Sequence, residues 1–61
     1  MSARHHAARQ RRTFIARVAR TMHRERGQVS PSEVTHVALC AGWRTNNTEV
    51  RHVLERLRLH R

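Results

Sequence analysis

Two short stretches punctuate this chain, and each has the chemistry of a helix that stops, turns and starts again. The first runs Gly27-Gln28-Val29-Ser30-Pro31-Ser32-Glu33, the second Gly42-Trp43-Arg44-Thr45-Asn46-Asn47-Thr48-Glu49. In the first, Ser30 is a helix cap and Pro31 sits at the first helical position, where a missing N–H costs nothing. Glu33, three residues after the cap, can reach back to the cap's own N–H. Val29 can staple onto Val34 across the same start. In the second, Asn46 is the cap with Glu49 three residues on, or Thr45 caps one residue earlier. Gly27 and Gly42 are the stops.

Three segments remain between these marks, and each places its apolar residues on one face of a helix. Residues 13–26 carry Phe14, Ile15, Val18, Ala19 and Met22 on one side and Arg17, Arg20 and Arg24 on the other. His23, Arg24 and Arg26 fall in the last turn, where positive charge complements the helix dipole. Residues 31–41 turn Val34, Val37, Ala38 and Ala41 inward. Residues 47–59 do the same with Val50, Val53, Leu54 and Leu57, leaving Arg51, His52, Glu55, Arg56 and Arg58 outside. No segment alternates with period two. The expected fold is an all-α three-helix bundle over 13–61. Its expected core is Phe14, Ile15, Val18, Val34, Val37, Trp43, Val50, Val53, Leu54 and Leu57.

Residues 1–12 hold Arg4, Arg9, Arg11 and Arg12 with His5 and His6, and have almost nothing to bury. They read as a flexible basic arm, with helix forming, if at all, near its end. The whole chain has 61 residues, and a single core of that size seldom supplies more than about 3 to 5 kcal/mol, so a bound partner matters to it. Cys40 is the only cysteine. Lying in an apolar helical stretch, it reads as a reduced, half-buried thiol of a cytoplasmic protein.

Charge narrows the partner. Thirteen basic residues, all arginine, stand against four acidic ones, for a formal net charge of +9 and a pI near 12.0. A domain this basic repels itself and is most stable beside a polyanion, of which nucleic acid is the commonest for a soluble domain. No apolar run approaches the roughly 18 residues of a membrane span. His36 and Cys40 are spaced to share a metal ion, but no paired motif completes four ligands, so neither metal nor cofactor is expected. Glu33 and Glu49 are absorbed by capping, and there is no glycine-rich phosphate loop or nucleophile elbow, so the chain reads as a non-enzyme.

The order Val37-Ala38, Gly42-Trp43, Val50 and Val53 resembles a helix-turn-helix of the winged-helix kind. There a small residue in the first helix lets the second approach, a glycine makes the turn, and a bulky residue after it plugs the core. The resemblance covers residues 30–59, and the sequence ends soon after, at Arg61, so a wingless version is expected. In size and charge the chain is similar to the excisionases and small repressors of phages and mobile elements. The resemblance implies that residues 47–59 form the recognition helix in double-stranded DNA.

The first turns of that helix then supply the base-reading set: Thr45, Asn47, Thr48, Arg51 and His52. Arg9, Arg11, Arg12, Arg17, Arg44, Arg56 and Arg58 are the expected phosphate contacts. One helix reads only four or five base pairs, so a homodimer is expected to help, with Met22, Leu39 and Leu59 as the candidate surface. The competing reading is an adaptor or inhibitor that docks on an acidic surface of a host protein. RNA is disfavoured because the chain has one Phe, one Trp and no Tyr, and both aromatics read as core.

Overall fold

Both caps form as the local chemistry requires. In the computed structural model, which describes residues 3–59 and the side-chain surroundings from 7 onward, the Glu33 N–H donates to Ser30 Oγ (3.5 Å) and the Glu49 N–H to Asn46 Oδ1 (2.8 Å). Three helices result: α1 (Ala3–Arg26), α2 (Pro31–Cys40) and α3 (Asn47–Leu57), each packed on the other two. This is an all-α three-helix bundle, and among the described residues there is no strand.

The glutamates of the two capping signatures do something other than reach back to the cap. Glu33 pairs with Arg26, the last residue of α1, and Glu49 pairs with Arg11 farther up the same helix. A guanidinium offers a charge-assisted bond, stronger than a neutral backbone N–H. The starts of α2 and α3 are thereby each tied to α1.

Helix ends follow the glycine logic at two places and break it at a third. After α2, Gly42 adopts φ 93°, its N–H donates to the Leu39 carbonyl (3.0 Å), and the Trp43 N–H donates to the Ala38 carbonyl (2.9 Å). That pair of bonds is the Schellman closure, and it fixes where Trp43 leaves the helix. After α3 the same closure recurs, with Leu59 N–H on the Leu54 carbonyl (2.9 Å), but the left-handed residue is Arg58, at φ 58°. A side chain there costs about 1 to 2 kcal/mol. Arg58→Gly is therefore expected to raise stability by about 1 kcal/mol, read as a higher urea midpoint with an unchanged slope.

The core consists of Ile15, Ala19, Met22, Val29, Val34, Ala38, Val50, Val53 and Leu54, with Phe14, Val18, Trp43, Leu57 and Leu59 packed against it. Val29 and Val34 are both buried, as a staple requires. Several positions depart from the expected faces. Val37 is 38% exposed and Ala41 is exposed, while Thr35 is buried in their stead at 8%. The Thr35 hydroxyl donates to the Pro31 carbonyl (2.8 Å), so it enters the core without an unmet hydrogen bond. Cys40 is exposed rather than half-buried. Met22 is buried and Leu59 covers the core, so two of the three residues expected at a self-association surface are spent inside one chain; only Leu39, 52% exposed, stands out in solvent.

The first helix begins at Ala3, ten residues before the apolar pattern starts. Ala, Arg and Gln dominate this stretch and are strong helix formers, so propensity carries the helix where burial does not. Twenty-four residues make about 36 Å of helix, which sets the 38 Å long axis of the molecule. Arg4, His5 and His6, expected in a basic arm, have side chains that lie outside the described surroundings.

Candidate nucleic-acid interface

The long helix sets the site, because eight of its 24 residues are arginine. Arg9, Arg20 and Arg24 lie on the flank of α1 that turns toward α3, with Arg12 beside them. From α3, Arg56 joins them beside Val53 and Leu57. Together with Arg17 these residues line an open groove of about 550 Å³ between the two helices. Its floor is Ala16, Val53 and Leu57, and no acidic residue lines it. Small and aliphatic residues at the contact let α1 and α3 approach, and the long arginine stems lie along the apolar floor while their heads stay in water.

Toward the start of α3 the groove opens into a second depression through the shared residues Arg12, Val53 and Arg56. Asn46, Thr48, Glu49, His52 and Glu55 complete it. The two together form one trough running from Arg24 to Thr48.

Expected site residues are distributed unevenly about this trough. Arg9, Arg12, Arg17 and Arg56 come together in the groove. Thr48 and His52 line its upper end, and both are exposed. Arg51 faces the other way and lines a small cleft with Val29, Pro31, Leu54 and Glu55. Asn47 is exposed in the first turn of α3. Arg44 precedes α3 and Arg58 follows it, so they stand at opposite ends of an 11-residue helix about 16 Å long.

Two expected contacts are engaged elsewhere in the fold. Arg11 donates from Nε (3.1 Å) and Nη2 (2.8 Å) to Oε2 of Glu49, and the Thr45 hydroxyl donates to Oε1 of the same carboxylate (2.6 Å). Arg11 and Thr45 thus serve the joint between α1 and α3. Arg20 and Arg24, absent from the expected phosphate set, line the groove. Their signal was present in the sequence, since Arg20 and Arg24 are four apart and continue the flank that Arg9 and Ala16 define.

The joint has a titratable centre. Burial pushes the Glu49 carboxyl up, but the hydrogen bonds from Thr45 and Arg11 and the charges of Arg11 and Arg12 outweigh it, leaving the group below its ordinary value of 4.5. A carboxylate with a depressed folded value contributes stability that is fully present above its ordinary value and is lost as the pH falls through the folded one. The urea midpoint should therefore drop as the pH is lowered from about 5 toward 3, and Glu49→Gln should lower it at neutral pH while reducing the size of the acid drop. An acid drop identical in the two proteins would show that Glu49 contributes nothing to it.

Beside the trough, on the other side of the α1 ridge, Phe14 and Trp43 lie with ring centroids 5.8 Å apart and planes inclined by 34°. Both are half-buried rather than fully in the core. Among the described residues no three His, Cys, Asp or Glu side chains come together, and no helix is long and apolar enough to cross a membrane. On the outer side of α2, Cys40 Sγ lies 3.6 Å from His36 Nε2.

Fold and site define a small three-helix bundle with an arginine-lined groove between its first and third helices. Compared with known families, with curated proteins and with solved structures, the chain matches none.

Proposed function

We propose that the protein is a small, sequence-specific DNA-binding regulator that holds a duplex through the trough between α1 and α3. One observation carries this reading: six arginines from two helices line a single groove that has no acidic residue in its own lining and leads, past Glu49 and Glu55, to the exposed first turns of α3. Phosphates on one strand take the groove arginines, which fixes position without reading sequence. The start of α3 then lies against base edges. Thr48 and His52 reach from the trough side and Arg51 and Asn47 from the other; arginine can bridge O6 and N7 of guanine, and asparagine N6 and N7 of adenine. The order Ala38, Gly42, Trp43, Val50 and Val53 supports the helix-turn-helix resemblance, because Ala38, Val50 and Val53 are all buried in the core.

The test compares two variants across a library of duplexes. Arg51→Ala should relax preference at one base position by about 1 to 3 kcal/mol, whereas Arg56→Ala should weaken every sequence alike. Equal losses for all sequences in both variants would remove Arg51 from the reading set. A third result, no preference in the parent protein, would reduce the function to non-specific binding.

A further inference from the structure

The half-buried ring pair is not used by a duplex seated in the trough. Its floor is Phe14 and Trp43, and the shallow depression above them, about 430 Å³, is completed by Arg9, Gln10, Thr13 and Arg17. On one side the rings pack against the core, on the other they meet solvent. Phe14 is carried by α1, and the backbone of Trp43 is fixed by its N–H bond to the Ala38 carbonyl. An aromatic floor with guanidinium groups at its rim and no acidic lining suits a flat, electron-rich group that carries negative charge beside it.

We propose that this depression takes a single unpaired nucleobase, stacked on Phe14 and Trp43, with the flanking phosphates on Arg9 and Arg17. The inference rests on the reading of the partner as nucleic acid and extends it to single strands. Arg9, Thr13 and Arg17 form the ridge of α1 and line both this depression and the groove toward α3. A strand whose phosphates follow the ridge can therefore drop one base over it onto the rings. Bases inside a duplex are stacked on each other and cannot do so, while those of a single strand can, and stacking tolerates any base because each has a π-face. Gln10 at the rim offers both a donor and an acceptor to the base edge.

Trp43 is the only tryptophan and there is no tyrosine, so the intrinsic emission of the intact protein reports on this site alone. The experiment titrates the protein at low salt with an oligothymidine strand, an abasic strand of the same length, a mixed-sequence duplex, and polyglutamate. Strong quenching is expected from the oligothymidine and little from the other three. Phe14→Leu should weaken oligothymidine binding about tenfold, as loss of part of one stacking contact implies, while duplex affinity and far-UV circular dichroism stay unchanged. Trp43→Phe, followed with a labelled strand, should retain most of the affinity that Trp43→Leu loses. Equal quenching by the abasic strand or by the duplex overturns the proposal, and quenching by polyglutamate as strong as by oligothymidine assigns the depression to acidic peptides and also overturns it. Base-dependent quenching without duplex binding would support this site and sink the duplex reading; duplex binding without such quenching would do the reverse.

Discussion

Reversing the charge at Arg12 and Arg56 together is expected to lower duplex affinity about 100-fold or more at about 50 mM salt, while the helical content stays that of the parent. The two residues come from different helices and are shared by both parts of the trough, so no strand could follow it without meeting them. Hydrogen bonds to charged groups contribute about 1.5 to 3 kcal/mol each, so loss of two accounts for at least about 3 kcal/mol before any new repulsion is counted. Among the described residues neither guanidinium has an ion-pair partner, and both residues are exposed. Reversal at Arg12 removes one of the charges that favour the Glu49 carboxylate, a loss opposed by relief of self-repulsion in so basic a chain, so the variant should stay folded with a modestly lower urea midpoint. The comparison variant reverses Arg26, which lies outside the groove and pairs with Glu33 at the surface. It should leave affinity within a few-fold of the parent. A loss as large as that of the trough variant would mean that net charge alone, and not the groove, decides binding.

The second large effect concerns folding. Ile15 is fully buried where α1 faces both other helices, and Ile15→Ala is expected to unfold most of the population at room temperature. Removing a buried isoleucine side chain costs about 2 to 5 kcal/mol. The better helix propensity of alanine returns only a few tenths of that. A single core of this size supplies about 3 to 5 kcal/mol in all, so the cost is comparable with the entire stability. Leu39→Ala, at a position 52% exposed, should change stability by less than about 0.5 kcal/mol. Far-UV circular dichroism against urea reads both. A folded Ile15→Ala with a midpoint close to the parent's would show that the bundle does not depend on this contact.

Local signals were the legible part of the fold. Ser30, Pro31, Asn46, Gly27 and Gly42 act within four residues of themselves, so their chemistry can be read without knowing what lies across the bundle. The rotation of α2 about its axis could not be read that way. Val37 is as apolar as Val34, yet the packing of α1 and α3 selects Thr35 for the interior, because its hydroxyl is satisfied by the Pro31 carbonyl. The start of α1 was hidden for the opposite reason. Apolar periodicity ends at Phe14, but alanine, arginine and glutamine sustain a helix without it. Glu33 and Glu49 were legible as N-terminal residues of helices but not as clamps, since their partners Arg26 and Arg11 lie 7 and 38 residues away.

The site was legible in sign more than in place. An excess of arginine points to a polyanion whatever the fold, and four of the seven expected phosphate residues do share the groove. Arg11 could not be sorted from Arg12 by sequence, because adjacent residues on a helix are about 100° apart and only the fold shows which of them meets Glu49. Phe14 and Trp43 were expected in the core and lie half out of it, in a chain whose apolar residues are too few to cover both rings.

Duplex affinity measured against salt tests the central claim most directly. Each phosphate neutralised contributes about 0.9 to the slope of log K against log salt, so a strand that engages the six groove arginines gives a slope of about −5.4, falling to about −3.6 in the Arg12, Arg56 reversal. A slope shallower than about −2 in the parent protein, or no binding at about 50 mM salt, would contradict the account.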